Sequence, residues 1–345
     1  MKKSLIALAV LASSGAAMAQ SSVTLFGIVD TGIGYVNKAN AAGDSKYGMY
    51  TSGNYTSRLG FRGVEDLGGG LKAGFWMEGE LFTDDGTSGG FNFKRRSTVS
   101  LSGGFGEVRL GRDLTPGYTK TSSYDLFNQT GIGQFGAWSN WYGTAGDANG
   151  IRSSNMISYY TPNMGGFNAA IGYGFDEQTS GHAGRYMGGY VAYDNGPLSV
   201  AVSYDDRDTV AANRDRNALS IGASYNMNVV KLSGIAQQTR DKIDGAPNQK
   251  VNAYMLGASA PVGAGEVKLQ YALYDQKAFD DGKTHQLSLG YVHNLSKRTA
   301  VYGTVSYMKN KDGANLGLAA KDLNTEGPGF GKAQTGVQVG IRHSF

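Results

Sequence analysis

Cysteine is absent from the 345 residues. That excludes a disulfide framework, a thiolate nucleophile and any cysteine metal site, so backbone pairing and packing must hold the fold. Histidine is scarce: His182, His285, His293 and His343 are scattered, and no two stand at metal-ligand spacing. Neither glycine cluster, at Gly32 or at Gly68, precedes a helix pattern or a GK[ST] sequence, which excludes a phosphate cradle. Net charge is small, because the formal +4 falls to about +2 once the two leader lysines are set aside. Such near-balance argues against nucleic acid as a partner. Long apolar runs are missing as well: the one concentrated run, residues 5–11, is too short to cross a bilayer as a helix. With Lys2 and Lys3 before it and Ala17-Met18-Ala19 after it, that run reads as an export signal over residues 1–19, cleaved before Gln20.

Proline is also rare, at 6 residues, against 53 glycines and 21 tyrosines, and mean hydropathy is polar although 40% of residues are hydrophobic. Such a chain disperses its apolar residues singly along strands. Val23, Leu25, Val29, Ile33 and Tyr35 share one parity and Thr24 and Asp30 the other, the signal of a half-buried strand. The same alternation sets Leu59 and Phe61 against Arg58 and Arg62, and Leu71, Ala73, Phe75, Met77 and Leu81 against Lys72, Glu78 and Glu80. It sets Val267, Leu269, Tyr271 and Leu273 against Glu266, Lys268 and Gln270. Tight Gly- and Asn-rich intervals, such as 66–70, 103–106 and 194–197, alternate with long polar ones, such as 37–54, 176–184, 205–215 and 309–332. They separate about sixteen strands of roughly ten residues each, the pattern of an all-β, transmembrane, antiparallel up-and-down β-barrel over residues 20–345. Closure follows from the hydrocarbon layer, where no water satisfies an open sheet edge. Tyr159, Tyr160, Tyr193, Tyr204 and Tyr307 lie near strand ends and fit interfacial aromatic girdles, with plain strand propensity as the alternative.

One stretch breaks the alternation. Residues 115–152, TPGYTKTSSYDLFNQTGIGQFGAWSNWYGTAGDANGIR, are too long for a mere connector. Phe127, Phe135, Trp138, Trp141 and Tyr142 give the stretch apolar anchors, so it reads as a long third loop folded into the lumen, where it narrows a pore. The acidic runs Asp84-Asp85 and Asp205-Asp206-Arg207-Asp208 read as solvated loop acids rather than a calcium site.

The last strand, TGVQVGIRHSF, alternates Val337, Val339 and Ile341 and ends on Phe345. With SSVTLFGIVD at the mature start, SRLGFRGVEDLGGGLKAGF after Ser57, and FKRRSTVSLSG with GEVRLGRD from Phe93, the chain resembles the trimeric general porins of Gram-negative outer membranes, and most of all the anion-selective porins of the Comamonas type. The resemblance implies a homotrimer in outer-membrane lipid and lipopolysaccharide. It also implies insertion by the barrel-assembly machinery through a signal ending at Phe345, small anionic solutes as cargo, and neither cofactor nor catalysis. Basic wall residues of the family map onto Arg58, onto Arg95 or Arg96, and onto Arg152. Strict alternation puts Arg96 inside with Thr98 and Ser100 and Arg95 outside, unless a bulge before Ser97 reverses them; Arg62 and Arg109 share lumen parity and extend the basic track. The family's acidic loop motif is matched only in part, at Gly133-Gln134-Phe135-Gly136. Gln134 stands where cation-preferring relatives have an acid, Thr130 is also neutral, and the loop keeps Asp125 and Asp147 against Lys120 and Arg152. Alternatively the arginines are simply tied to strand-borne acids such as Glu78, Glu80 or Asp113. Rival functions are an outer-membrane barrel enzyme, with His182 near Asp176 and Glu177, and a substrate-specific channel.

Overall fold

The structure, a computed structural model, describes residues 22–86, 91–137, 151–209, 214–243, 248–277, 281–320, 323 and 325–345. The leader over residues 1–19, Asp147, and the anchors Trp138, Trp141 and Tyr142 lie outside the described residues. The first half of the chain forms β1 (Ser22–Val36), β2 (Lys46–Thr51), β3 (Arg58–Gly68), β4 (Leu71–Glu80), β5 (Arg96–Gly103), β6 (Gly106–Leu114), β7 (Arg152–Tyr160), β8 (Phe167–Gly174) and β9 (Tyr186–Asn195). The second half forms β10 (Leu198–Thr209), β11 (Arg214–Asn226), β12 (Lys231–Ile243), β13 (Gln249–Val262), β14 (Gly265–Gln276), β15 (Gly282–Asn294), β16 (Thr299–Lys311) and β17 (Ala333–Ser344). A short helix, α1 (Pro116–Thr121), follows β6.

From β3 to β17 each strand pairs antiparallel with the next. The ring closes where β1 meets β17, from Ile28↔Ser344 to Val36↔Gly336. On its other edge β1 pairs with β3 through Ser22–Ile28 and with β2 through Thr31–Val36, so β2 and β3 form one interrupted wall strand in a barrel of sixteen. At the seam Phe345 and Gly27 exchange backbone hydrogen bonds of 3.1 Å each way. Only glycine fits there: a Cβ on Gly27 would stand 2.3 Å from the Phe345 ring.

Side-chain parity follows the closed sheet. Leu289 is 52% exposed on the outer face while its neighbour Ser288 is 1% exposed on the lumen side, and Val339 at 48% stands beside Gln338 at 1%. The apolar core lies inside the barrel, between wall and inserted loops: Phe135, Tyr274, Met255 and Ile235 form one cluster, and Val36, Tyr50, Ile132 and Leu318 form another.

Four expectations need correction. Residues 37–54 are not one loop, because Lys46–Thr51 folds back onto β1 as β2, with Tyr47 outward at 82% exposure and Tyr50 buried. The break between β2 and β3 is filled by Asp30. Its carboxylate accepts the backbone N–H groups of Gly53, Asn54 and Tyr55 at 3.2, 2.9 and 2.7 Å and the Tyr302 hydroxyl at 2.5 Å. Residues 205–208 are strand rather than loop. Asp205 accepts the Tyr186 hydroxyl at 2.6 Å and Arg207 donates to the Arg152 carbonyl at 2.7 Å, so the charges have partners inside and the ladder runs on. Tyr160 belongs to no girdle, since it shares lumen parity with Ser158 and its ring lies 4.2 Å under the Arg109 guanidinium. Finally, the described part of residues 312–332 turns inward, where Leu318 and Leu323 are fully buried.

Two outcomes follow. The closed ladder should keep unheated protein folded in SDS, so mobility on a gel should change on boiling; equal mobility before and after would contradict a closed barrel. Asp30→Ala removes the acceptor of three backbone N–H groups, two of them buried, and of a buried hydroxyl, and should destabilise the barrel by about 3 kcal/mol in urea unfolding from micelles, each orphaned donor costing roughly 1–3 kcal/mol.

Candidate functional site

The long loop after β6 is pinned to the lumen wall along its described length. Pro116 opens α1, where its missing N–H costs nothing. Lys120 near the end of the helix places Nζ 2.7 Å from both carboxylate oxygens of Asp194 on β9. Beyond the helix the grip passes to side chains of lumen parity on β14, β15 and β17. Lys268 donates to the Leu126 carbonyl at 2.8 Å, and Gln270 accepts the Leu126 N–H at 3.2 Å while donating to the Gly133 carbonyl at 3.3 Å. Gln286 donates to the Ile132 carbonyl at 3.0 Å, and Gln338 accepts the Ile132 N–H at 3.1 Å while donating to the Gly53 carbonyl at 2.9 Å. Thr130 donates its hydroxyl to the Ser52 carbonyl, which ties the loop to the segment that Asp30 organises.

The motif residues of the loop serve this docking. Phe135 is fully buried and stacks on Tyr274 with centroids 5.7 Å apart, and burying a ring of that size contributes roughly 2–3 kcal/mol. Gln134 donates to the Ala319 carbonyl at 2.9 Å, so the last long loop closes over it. Asp125 does not present its charge to the lumen. It is 3% exposed and accepts the Gln129 backbone N–H and side-chain amide at 2.8 Å each, with the N–H groups of Phe127 and Phe135 at 3.3 Å. Burial raises its carboxyl above the ordinary range, and these donors offset that rise only in part. Asp125 thus folds the loop from within.

The basic side chains gather on the stretch of wall from β3 to β7. Arg58 and Arg95 share one carboxylate, Glu78, at 3.6 and 2.6 Å. Arg96 and Arg109 share another, Asp113, at 3.4 and 3.2 Å, and Arg109 also reaches Glu107 at 2.8 Å. The Glu78 backbone carbonyl accepts the Arg95 N–H at 3.1 Å, while Arg96 is the residue registered opposite Glu78. Arg95 precedes the first residue of β5, so the alternation of the strand does not bind it, and both side chains reach lumen acids. Arg152 opens β7 and donates Nε to the Arg95 carbonyl at 2.8 Å. Arg62 lies over Trp76 at 5.1 Å and Phe26 at 5.4 Å. Among the described residues neither Arg152 nor Arg62 has an ion-pair partner. Six guanidiniums, on Arg58, Arg62, Arg95, Arg96, Arg109 and Arg152, therefore outnumber the wall acids Glu78, Glu80, Glu107 and Asp113.

The glutamine clamp and the Asp30 hub are functional features that the sequence reading missed. Lumen parity marks Gln270, Gln286 and Gln338 as inward, but nothing in the sequence separates a glutamine that faces water from one that grips a loop. His182 meets Asp176 at 3.0 Å in an exposed outer connection. Among the described residues no three potential metal-ligating side chains converge.

A family model described as Gram-negative porin matches residues 4–313. The chain is 67% identical to outer membrane porin protein 32 of Delftia acidovorans over 353 aligned positions, covering 100% of both chains. It is 35% identical to an outer membrane porin protein of Bordetella pertussis, again covering 100% of both. A solved structure described as the anion-selective porin from Comamonas acidovorans superposes with a TM-score of 0.90 at 63% identity, covering 94% of this chain and 100% of that one. The in-vitro folded OmpT of Vibrio cholerae, described as a trimer form, matches in fold alone, with a TM-score of 0.69 at 15% identity over 94% of this chain and 99% of that one. Closed wall, inserted loop and full-length likeness converge: the chain belongs to the Gram-negative porin family and is an outer-membrane porin.

Proposed function

We propose that this porin passes small hydrophilic solutes with a preference for anions, chloride, phosphate and small carboxylates, set by Arg58, Arg95, Arg96 and Arg152 and extended by Arg62 and Arg109. The observation that carries the reading is the sharing of acids: Glu78 and Asp113 each serve two guanidiniums, which leaves the wall in positive excess. The docked loop does not cancel that excess across the gap among its described residues, because Gln134 and Thr130 are neutral and the Asp125 carboxylate is turned into the loop. A narrow aqueous path between low-dielectric walls focuses such a field, so a few charges bias ion entry. Guanidinium suits the role, being charged at every relevant pH and offering several fixed donors to a passing oxyanion. The relative described as anion-selective supports the same sign.

The homotrimer is part of this reading, supported by the trimer form of the Vibrio relative. So are cleavage after residue 19, contact with lipopolysaccharide, and assembly through Phe345.

Reversing charge at two wall positions, with Arg58→Glu and Arg152→Glu combined, should lower the chloride-to-potassium permeability ratio by roughly tenfold, about 1.4 kcal/mol, read from reversal potentials in planar bilayers. An unchanged ratio would remove these residues from the selectivity wall. Native mass spectrometry from detergent should give three copies per particle, and a monomer that conducts alone would overturn the trimer.

A further inference from the structure

The lumen parity of β1 and β4 carries two residues that the selectivity reading leaves without a task, Phe26 and Trp76. Both are large aromatics on the side that faces water, at positions shared with Asp30 on β1 and with Lys72 and Glu78 on β4. They meet edge to face, with centroids 4.9 Å apart and planes at 62°. The indole is fixed from below by its own N–H, which donates to Glu78 at 3.3 Å. Two guanidiniums lie on this pair: Arg62 over both rings, and Arg96 4.6 Å from the Trp76 centroid. The cluster sits on the periplasmic side of the constriction, since Arg62 follows Arg58 by four residues toward the short turn after Gly68, about 13 Å at the rise of a strand.

The two guanidiniums are not equivalent. Arg96 spends its Nε on Thr98 at 3.0 Å and shares Asp113 at 3.4 Å. Arg62 is exposed and, among the described residues, is paired with no carboxylate. Stacking on aromatic faces occupies the π surface of a guanidinium and leaves its N–H edge open, a geometry matched to a carboxylate. An open edge beside two inclined rings offers both halves of a recognition site: a fixed cation for a carboxylate, and an apolar surface on which a third ring packs edge to face or offset.

We propose that this cluster is a subsite for planar aromatic carboxylates, with Arg62 holding the carboxylate and Phe26 and Trp76 holding the ring. The subsite rests on the anion-selective reading for the sign of the ligand, and adds to it a discrimination by shape that charge alone cannot produce. Chloride and small aliphatic carboxylates pass it with the charge contact only, whereas an arene makes both contacts and dwells.

The test compares benzoate with cyclohexanecarboxylate as blockers of single-channel chloride current, because the two share charge and carbon count and differ in planarity and aromaticity. Wild-type pores should bind benzoate about three- to tenfold more tightly, the range expected of one aromatic contact. The difference should vanish in Trp76→Leu combined with Phe26→Leu and persist in Trp76→Phe, while Arg62→Gln should weaken block by both anions. Only inserted, conducting pores are recorded, so a variant that fails to fold contributes no events, and Trp76→Phe then carries the comparison alone. Equal affinities in the wild type, or a benzoate preference that survives loss of both rings, would overturn the subsite. A potassium chloride reversal potential of cationic sign would instead overturn the underlying anion reading, whatever benzoate does.

Discussion

The structure depends on one constraint, that a backbone N–H or C=O inside hydrocarbon must find its partner in the protein. A sheet meets it only by closing, and here closure is made where β1 meets β17 and is completed by Phe345 on Gly27. Once the ring is closed, every strand has one face for lipid and one for water. A polar lumen lined by alternate residues is the consequence.

The lumen is divided between two kinds of polar wall. On β14, β15 and β17, Gln270, Gln286 and Gln338 bridge to backbone groups of the inserted loop, satisfying donors and acceptors that would otherwise be buried without partners. On the stretch from β3 to β7, arginines share too few acids and keep a surplus of charge. The glutamine wall holds the loop in place, and in the proposed reading the arginine wall acts across what space remains. Asp30 couples the two, since the segment it organises is gripped by Gln338 and Thr130 alike.

The barrel was legible because its signal is a period repeated around the whole chain, and long alternating segments such as those now seen as β14, β15 and β17 state it without ambiguity. What escaped was local. Residues 46–51 are too short for periodicity to register, and only the ladder against β1 reveals them as β2. Arg95 stands one residue before β5, outside the strand's alternation, so alternation alone could not place that side chain. The run from Asp205 to Asp208 looked like a solvated loop because its partners, Tyr186 and the Arg152 carbonyl, are distant in sequence. Asp125 counts among the loop's charges in the sequence, yet its acceptors are satisfied by a fold of its own loop that no spacing predicts.

The account stands most directly on the sign of the field in the narrowed lumen. Wild-type porin in a planar bilayer under a dilute potassium chloride gradient should show a reversal potential of anionic sign. Its preference should weaken toward 1 M salt, where the Debye length is about 3 Å against roughly 10 Å at 0.1 M. A cationic sign in dilute salt would contradict the arginine wall.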